Sequence, residues 1–261
     1  VGFVHQILWM TLFFSITYWE LKERLVVKEA EESVCSTEDE AAQSEGIAET
    51  VEPEQAPVEV SLIKGALKYR HFTLGILAIF LYMGIEVGVP NVANLYMTSA
   101  DGLGMAAGVA GTLVGAYWFL MLIGRLVGGV LGGKVSSRAM IMAVSAAAIV
   151  FLLFGMFLPE TLAISMLGTQ VPASILFIVL CGLCTSVMWG AIFNLAVEGL
   201  GKYTSIASGL FMVMVCGGGV LPFLQGLVAD ASGFIPSFWV LVAAVAFILW
   251  YALLGSKVKR S

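Results

Sequence analysis

The sequence is short of charge and of the side chains that carry most enzyme chemistry. Only 12% of its 261 residues are charged, about half the share of an average soluble domain, and it holds two histidines and four cysteines. It contains no phosphate-binding glycine loop, no metal-ligand spacing and no Ser-His-Asp set. We therefore predict that the chain is not an enzyme, holds no cofactor or metal, and has no nucleic-acid partner.

The four cysteines do not form a redox or metal motif. Cys181 and Cys184 have C-x-x-C spacing, but they lie inside a long apolar segment, where a thiolate is costly and no histidine accompanies them. We interpret this pair, together with Cys35 and Cys216, as small core residues or loop thiols.

Apolar residues dominate instead, at 59% of the chain and a mean hydropathy of +0.96. They form blocks long enough to cross a bilayer as helices, which takes about 20 residues. The blocks are 1–19, 72–98, 107–133, 139–158, 173–198, 204–229 and 235–254. Backbone groups in lipid must bond within their own segment, and the blocks lack the alternation of barrel strands. The predicted fold class is therefore all-α, a polytopic transmembrane helix bundle.

Block 1–19 differs from the others because it starts at the first residue. That residue is valine, and no charged region or cleavage site marks a signal peptide. The block ends in Trp19, Glu20 and Lys22, which are typical of a membrane interface. We expect a fragment in which 1–19 ends an N-terminal half; a complete seven-helix protein is the alternative.

Lysine and arginine fall on one side of the predicted bundle. If successive loops alternate sides, the same side holds Lys22, Arg24, Lys28, Lys64, Lys68, Arg70, Lys134, Arg138, Lys202, Lys257, Lys259 and Arg260. Arg125 lies inside a block, and the opposite loops carry acids without bases. By the positive-inside rule, the long linker and the C terminus are predicted to be cytoplasmic.

The linker, 20–71, is a long polar segment. Between 20 and 64 it carries thirteen acidic and four basic side chains and few aromatics, a composition typical of disorder. We predict an acidic, largely disordered cytoplasmic connector between two membrane domains; a partner-docking tail is the alternative. Its end, 61–72, is predicted to form a short amphipathic helix with its basic side chains toward anionic headgroups.

Block 72–98 carries polar residues that a lipid-facing helix would not. Tyr82, Glu86, Pro90 and Asn94 follow at intervals of four, so they share one helix face, and Asn91 lies beside them. A carboxyl group in hydrocarbon costs about 3 kcal/mol, so Glu86 must face the bundle interior or water. Pro90 also leaves the Glu86 carbonyl without its helical partner. Three roles stay open for Glu86: ligand binding or gating, proton transfer, and a buried structural acid.

Two later blocks add candidates for the same site. Trp189 is either a packing aromatic or a platform on which a sugar could stack. Asn194 lies closer to the cytoplasm, and Gln225 lies in the outer half of block 204–229. Arg125 is predicted to reach the cytoplasmic surface or to bridge to Glu198 in a gating network. Pairing of Arg125 with Glu86 is not expected, because the sequence places them at different depths.

Glycines mark close helix approach. Gly124, Gly128 and Gly132 are spaced i, i+4 and i+8 and form one groove on block 107–133. Glycine and proline also interrupt blocks 72–98 and 204–229, a pattern typical of a midplane site between helical repeats. One helix, a long linker and six helices match the second half of a transporter built from two six-helix halves.

Three segments resemble one family. FLYMGIEV, 80–87, resembles the Y-x-G-x-E-V signature of the fucose–proton symporter family of the major facilitator superfamily, which includes fucose, galactose and glucose permeases. IFNLAVEGLGKYTSIASGLFMVMVCGGGVLPFLQGLVAD, 192–230, resembles that family's I-F-x-L-A-x-x-G-L-G region with its glycine cluster, and IGRLVGG, 123–129, resembles another of its helix ends.

The resemblance implies the end of helix six in 1–19 and the C-terminal six-helix half in 72–261. It implies proton-coupled uptake of a hexose or fucose-like sugar across a bacterial inner membrane, with the lipid bilayer and a missing N-terminal six-helix half as partners. The acids of that family that carry protons lie mainly in the other half, so Glu86 is carried over only as a cavity-lining residue. Asn194 departs from an expected serine, which leaves the sugar open. Transport of another solute or drug, and a non-transporting scaffold, are the alternatives.

Overall fold

The computed structural model describes residues 56–166 and 168–257 and is predominantly helical. The helices are α1 (Ala56–Leu67), α2 (Arg70–Thr98), α3 (Ala107–Leu131), α4 (Ser137–Phe157), α5 (Ala173–Thr185), α6 (Met188–Val197), α7 (Thr204–Val213), α8 (Gly217–Ser232) and α9 (Phe234–Trp250). Short 3-10 turns occupy Gly201–Tyr203 and Met214–Cys216, a π-helical turn occupies Tyr251–Gly255, and two strands are β1 (Ala163–Met166) and β2 (Thr169–Pro172).

Six segments of the described chain are long and apolar enough to cross a membrane. They are Arg70–Thr98, Ala107–Leu131, Ser137–Phe157, Ala173–Val197, Gly201–Ser232 and Phe234–Gly255. The six apolar blocks predicted between 72 and 254 coincide with these spans, which confirms the predicted fold class. The predicted helix 1–19, the first part of the linker with Cys35, and the C-terminal 258–261 lie outside the described residues.

Helix α2 is the centre of the bundle. It packs against α3, α5, α6, α8 and α9, and more than half of its residues are buried. A helix surrounded on most sides needs apolar residues on most faces, and α2 has them. The polar stripe predicted on this helix therefore lies among protein neighbours, not against lipid.

Two spans are interrupted near their middle. The fourth span breaks between α5 and α6, where the Thr185 hydroxyl donates to the Gly182 carbonyl at 3.1 Å and the Ser186 hydroxyl to the Leu183 carbonyl at 2.6 Å. Such side-chain bonds compete with the backbone ladder of a helix. The fifth span changes to a 3-10 turn at Met214–Cys216, directly before the glycine run that opens α8.

The bundle has two chemically different ends. At the end that we call the basic end, His71 Nε2 hydrogen-bonds the Glu198 carbonyl at 2.9 Å, and Arg138 donates to the Ser256 hydroxyl at 3.1 Å. At the opposite, acidic end, the Tyr96 hydroxyl donates to Glu160 Oε1 at 2.7 Å. These contacts join chain segments that the alternating charge pattern predicts to be on the same side. Which side is cytoplasmic stays a prediction.

Two local elements differ from the sequence expectations. The loop predicted at 159–172 contains an antiparallel hairpin, with Ala163 opposite Pro172 and Met166 opposite Thr169. Four-residue strands are too short to give a clear periodic signal. The short helix predicted at 61–72 begins at Ala56 and ends at Leu67 instead, and α2 starts after a turn at 68–69.

Candidate functional site

The polar stripe of α2 meets a cation from α3. Arg125 Nη2 lies 3.0 Å from Glu86 Oε1 in an ion pair, and 3.8 Å from Met121 Sδ on its own helix. The Glu86 side chain is 10% exposed, whereas the Arg125 side chain is 50% exposed. Glu86 is therefore a buried anchor for a guanidinium that still has N–H donors available on its accessible side.

This pair corrects the predicted arrangement around Arg125. The expected bridge to Glu198 does not form, and Arg125 pairs with Glu86 in spite of their different backbone depths. Side chains on a helix tilt toward its N terminus, and α2 and α3 run in opposite directions. Glu86 therefore extends toward the basic end while Arg125 extends away from it, past Met121, and their charged groups converge.

The carbonyl that Pro90 leaves free is used within the protein. Proline lacks an N–H, so the Glu86 carbonyl has no helical donor four residues later. The Tyr117 hydroxyl of α3 donates to the Glu86 carbonyl at 3.2 Å. The same hydroxyl lies 3.3 Å from Thr185 Oγ1 of α5. The Tyr117 hydroxyl thus bonds α3 to α2 beside the ion pair and is in contact with α5, and the freed carbonyl is not an open ligand acceptor.

Two aromatic rings border this cluster. The rings of Tyr82 and Trp189 have centroids 6.2 Å apart at 60°, an edge-to-face contact between α2 and α6. Tyr82 is fully buried. Trp189 is only half-buried. Trp189 is therefore the ring that a ligand could reach.

A cleft of about 240 Å³ lies between α3 and α6 on the side of the basic end. It is lined by Arg125, Gly128, Gly129, Gly132, Ser137, Met140, Ser186, Val187, Gly190, Ala191 and Asn194. The cleft brings together two of the predicted residues, Arg125 and Asn194. Apart from Met140 and Val187, its remaining walls are small side chains and glycine backbone, which leave room for a polar ligand or for another helix.

Part of the predicted glycine groove on α3 packs against the α5–α6 junction, where the fourth span is interrupted. A Cβ atom on Gly124 would collide with the side chain of Ser186, and one on Gly128 would collide with Val187. Gly132 has no neighbour from another helix within 4 Å among the described residues. Two of the three glycines therefore bring α3 close to the α5–α6 junction, which fixes the position of Arg125.

The other predicted residues lie apart from the cleft. Gln225 is fully buried, and no described residue hydrogen-bonds its amide, which packs against Gly88 between α2 and α8. Asn91 and Asn94 are half-buried beyond Pro90 toward the acidic end, and Glu198 is exposed at the basic end. The structure therefore groups Tyr82, Glu86, Arg125, Trp189 and Asn194 and separates the rest.

The contributions of Tyr117, Thr185 and Ser186 were not predicted from the sequence. Each is a single hydroxyl in an apolar block, which resembles an ordinary packing residue in the sequence. One signal was present: a proline-freed carbonyl in the middle of a membrane helix requires a donor from a neighbour. Tyrosine is long enough to supply that donor from the next helix, but the sequence does not show which tyrosine faces Pro90.

Comparison of the sequence with known proteins identifies the family of the chain. The sequence model of the Major Facilitator Superfamily matches residues 7–221. The chain belongs to this superfamily. The match covers most of the chain and supports the predicted likeness to transporters built from helical repeats.

The curated relatives of this superfamily member are sugar transporters. The chain is 32% identical over 192 residues to a protein named glucose/galactose transporter from Brucella abortus, a match covering 74% of this chain and 44% of the relative. It is 28% identical over 203 residues to a putative glucose/galactose transporter from Helicobacter pylori, and 26% identical over 170 residues to the L-fucose-proton symporter of Escherichia coli. The chain spans less than half the length of these relatives, consistent with one half of such a transporter.

Solved structures support the fold. The crystal structure of the major facilitator transporter FucP in the outward conformation superposes with a TM-score of 0.65 at 21% identity, over 82% of this chain and 50% of that chain. A second structure, of a single-substitution variant of the Escherichia coli fucose:proton symporter, gives a TM-score of 0.66 at 22% identity, over 76% of this chain and 46% of that chain. The likeness therefore establishes the architecture of a major facilitator half.

Proposed function

We propose that this chain forms the C-terminal half of a proton-coupled symporter for a hexose or fucose-like sugar in a bacterial inner membrane. The observation that carries the proposal is the identity to proteins named glucose/galactose transporter, over the region that contains the polar cluster. In this proposal the main partner of the chain is the N-terminal half of the transporter. The coupling ion is the proton.

The side chains around the cleft suit recognition of a sugar. Arg125 presents guanidinium donors for hydroxyl oxygens, and Asn194 adds a donor and an acceptor. Trp189 does not line the cleft, but it precedes Gly190 of the cleft wall, is half-buried and offers an aromatic face for the apolar edge of a pyranose ring. Glu86 does not contact the sugar in this proposal. It holds the guanidinium in place through the 3.0 Å ion pair, which limits the number of orientations that Arg125 adopts.

Alternating access requires this half to move largely as a rigid body against the other half. The contacts at the centre of the bundle support such rigidity, because the Tyr117 hydroxyl bonds α3 to α2 and is in contact with Thr185 of α5 beside the site. The Glu86–Arg125 pair joins α2 to α3 at the same level. A ligand held by Arg125 would thus move with the whole half.

The direct test is uptake by the intact protein reconstituted in vesicles. We expect radiolabelled glucose, galactose or fucose to accumulate when an inward proton gradient is imposed, and not when a proton ionophore abolishes that gradient. Accumulation of none of the three sugars would overturn the proposal. Accumulation of a sugar without any effect of the gradient would overturn proton coupling alone.

The role of the ion pair is tested within the same assay. Glu86→Gln is expected to lower kcat/KM for uptake about tenfold, the effect of losing a charged hydrogen bond of about 1.5 kcal/mol. Arg125→Lys keeps the charge but loses the planar fork, so we expect a comparable loss. Asp101→Asn removes an exposed loop acid away from the site and serves as the control. Unchanged uptake in both site variants would rule out the proposed role.

A further inference from the structure

A second concave surface lies at the basic end, away from the cleft between α3 and α6. It encloses about 560 Å³ and is bounded by the turn between α1 and α2, by Tyr203 and by the end of the π-helical turn after α9. Three exposed cations line it, Lys68, Arg70 and Lys257. They come from two chain segments far apart in sequence, so the pocket depends on the tertiary fold.

The positive charge of this pocket is not neutralised by its own walls. Within the described part of the chain, no carboxylate lies at ion-pair distance from any of the three cations. His71 also lines the pocket, but its Nε2 is committed to the Glu198 carbonyl at 2.9 Å. Three like charges around one concavity repel each other unless an anion is present, so the surface favours an anionic ligand.

Two tyrosines give the pocket a defined wall. The rings of Tyr69 and Tyr203 have centroids 6.0 Å apart, and the ammonium group of Lys202 lies 5.3 Å from the centroid of the Tyr203 ring. Gly65 of α1 meets the Tyr203 ring directly, because a Cβ atom there would lie 2.5 Å from Tyr203 Cε1. Helix α1 is thus packed against this wall.

The pocket is at the level where membrane spans end. The first span starts at Arg70, the fifth starts at Gly201, and the last ends at Gly255. Lipid phosphates and tyrosine side chains concentrate at this boundary between hydrocarbon and water. Leu254, which is 58% exposed, also lines the pocket and offers an apolar surface beside the cations.

We propose that this pocket binds the phosphate of an anionic phospholipid headgroup. Lys68, Arg70 and Lys257 supply the charge, the tyrosine wall confines the headgroup, and Leu254 contacts the first part of an acyl chain. A soluble phosphate anion would satisfy the cations alone, whereas the adjacent exposed leucine and the position at the span ends favour a lipid. The bound lipid would hold α1, the start of α2 and the end of the last span together.

The test measures lipid binding to the intact protein in neutral detergent by native mass spectrometry. Phosphatidylglycerol and phosphatidylcholine with the same acyl chains are titrated separately. We expect one tightly retained phosphatidylglycerol and weaker retention of phosphatidylcholine. Lys68→Gln and Lys257→Gln should each weaken phosphatidylglycerol binding about fivefold, as expected for one basic side chain near an anionic headgroup. Inorganic phosphate is added in a competing arm and should displace little of the lipid.

A matched control is available on the same end of the protein. Lys134→Gln removes an exposed cation from the turn between α3 and α4, outside the pocket, and should leave phosphatidylglycerol binding unchanged. Equal weakening by all three substitutions would show a general charge effect and overturn the proposal. Equal retention of the two lipids, or displacement of phosphatidylglycerol by millimolar phosphate, would overturn it as well. Elution as a monodisperse species confirms that each variant is folded.

Discussion

At the scale of single residues, Pro90 and Tyr117 organise the centre of the bundle. Pro90 leaves the Glu86 carbonyl without a helical donor, and the Tyr117 hydroxyl bonds that carbonyl. Pro90 removes one helix hydrogen bond, and an unsatisfied carbonyl inside a membrane costs several kcal/mol. Tyr117 offsets that cost at 3.2 Å and reaches Thr185 with the same hydroxyl. The proline thus creates a helix-to-helix bond that an unbroken helix would not offer.

Tyr117→Phe is expected to destabilise the protein by about 1–2 kcal/mol, because the Glu86 carbonyl loses its donor in a buried setting. Pro90→Ala restores a backbone N–H four residues after Glu86. In the Pro90→Ala background, Tyr117→Phe should therefore cost clearly less than in the unmodified protein. Unfolding free energies in detergent, combined as a double-mutant cycle, measure the difference. Equal costs in the two backgrounds would show that Tyr117 does not serve the proline-freed carbonyl.

At the scale of helices, α3 and the fourth span make a close packing contact at the interruption of that span. The break between α5 and α6 presents Ser186 and Val187 to Gly124 and Gly128 of α3. The glycines of this contact are needed because any Cβ would collide with side chains of the neighbouring helix. Other glycines of α3, such as Gly115, have open space around them within the described residues.

Gly124→Ala and Gly115→Ala form a matched pair on one helix. Alanine favours a helix over glycine by about 1 kcal/mol, so Gly115→Ala should raise or preserve the midpoint of thermal unfolding. Gly124→Ala gains the same propensity but pushes its methyl group into Ser186, so it should lower the midpoint by several degrees. Thermal unfolding in detergent, followed by the loss of helical circular dichroism, provides the comparison. A higher midpoint for Gly124→Ala would contradict the close contact.

At the scale of the whole molecule, two kinds of surface remain uncovered. Large apolar side chains such as Phe119, Leu126 and Val130 are exposed on α3, as expected of a chain that faces lipid or another helical half. The two ends differ in charge, with lysine and arginine at the basic end and Asp101, Glu160 and Asp230 in the opposite turns. This polarity predicts the orientation in the membrane.

The orientation is checked by cysteine labelling in intact cells. Asp101→Cys and Lys134→Cys are made separately in a background in which Cys35 and Cys216 are replaced by serine. We expect a membrane-impermeant maleimide to label position 101 from outside, because the positive-inside rule places position 134 in the cytoplasm. Position 134 should react only after the cells are permeabilised. The reverse pattern would invert the orientation and remove the cytoplasmic assignment of the linker.

Much of the architecture was predictable from the sequence because hydrophobic length and charge placement act locally. A block such as 139–158 must be a helix in lipid wherever its neighbours lie, and the six predicted spans agree with the structure to within a few residues. Glu86 was identified for the same reason, since a carboxyl group in an apolar block needs a special environment. The contacts of Glu86 were not predictable, and the expectation for Arg125 was wrong.

The sequence by itself determined the class of protein, the number of membrane spans between 70 and 255, and the separation of basic from acidic turns. These follow from transfer free energies that each segment has on its own. Only the tertiary structure decided that Arg125 meets Glu86, that Tyr117 bonds the carbonyl freed by Pro90, and that Lys257 joins Lys68 and Arg70 around one pocket. Those contacts depend on the packing and direction of neighbouring helices, which cannot be predicted from the sequence pattern of any single segment.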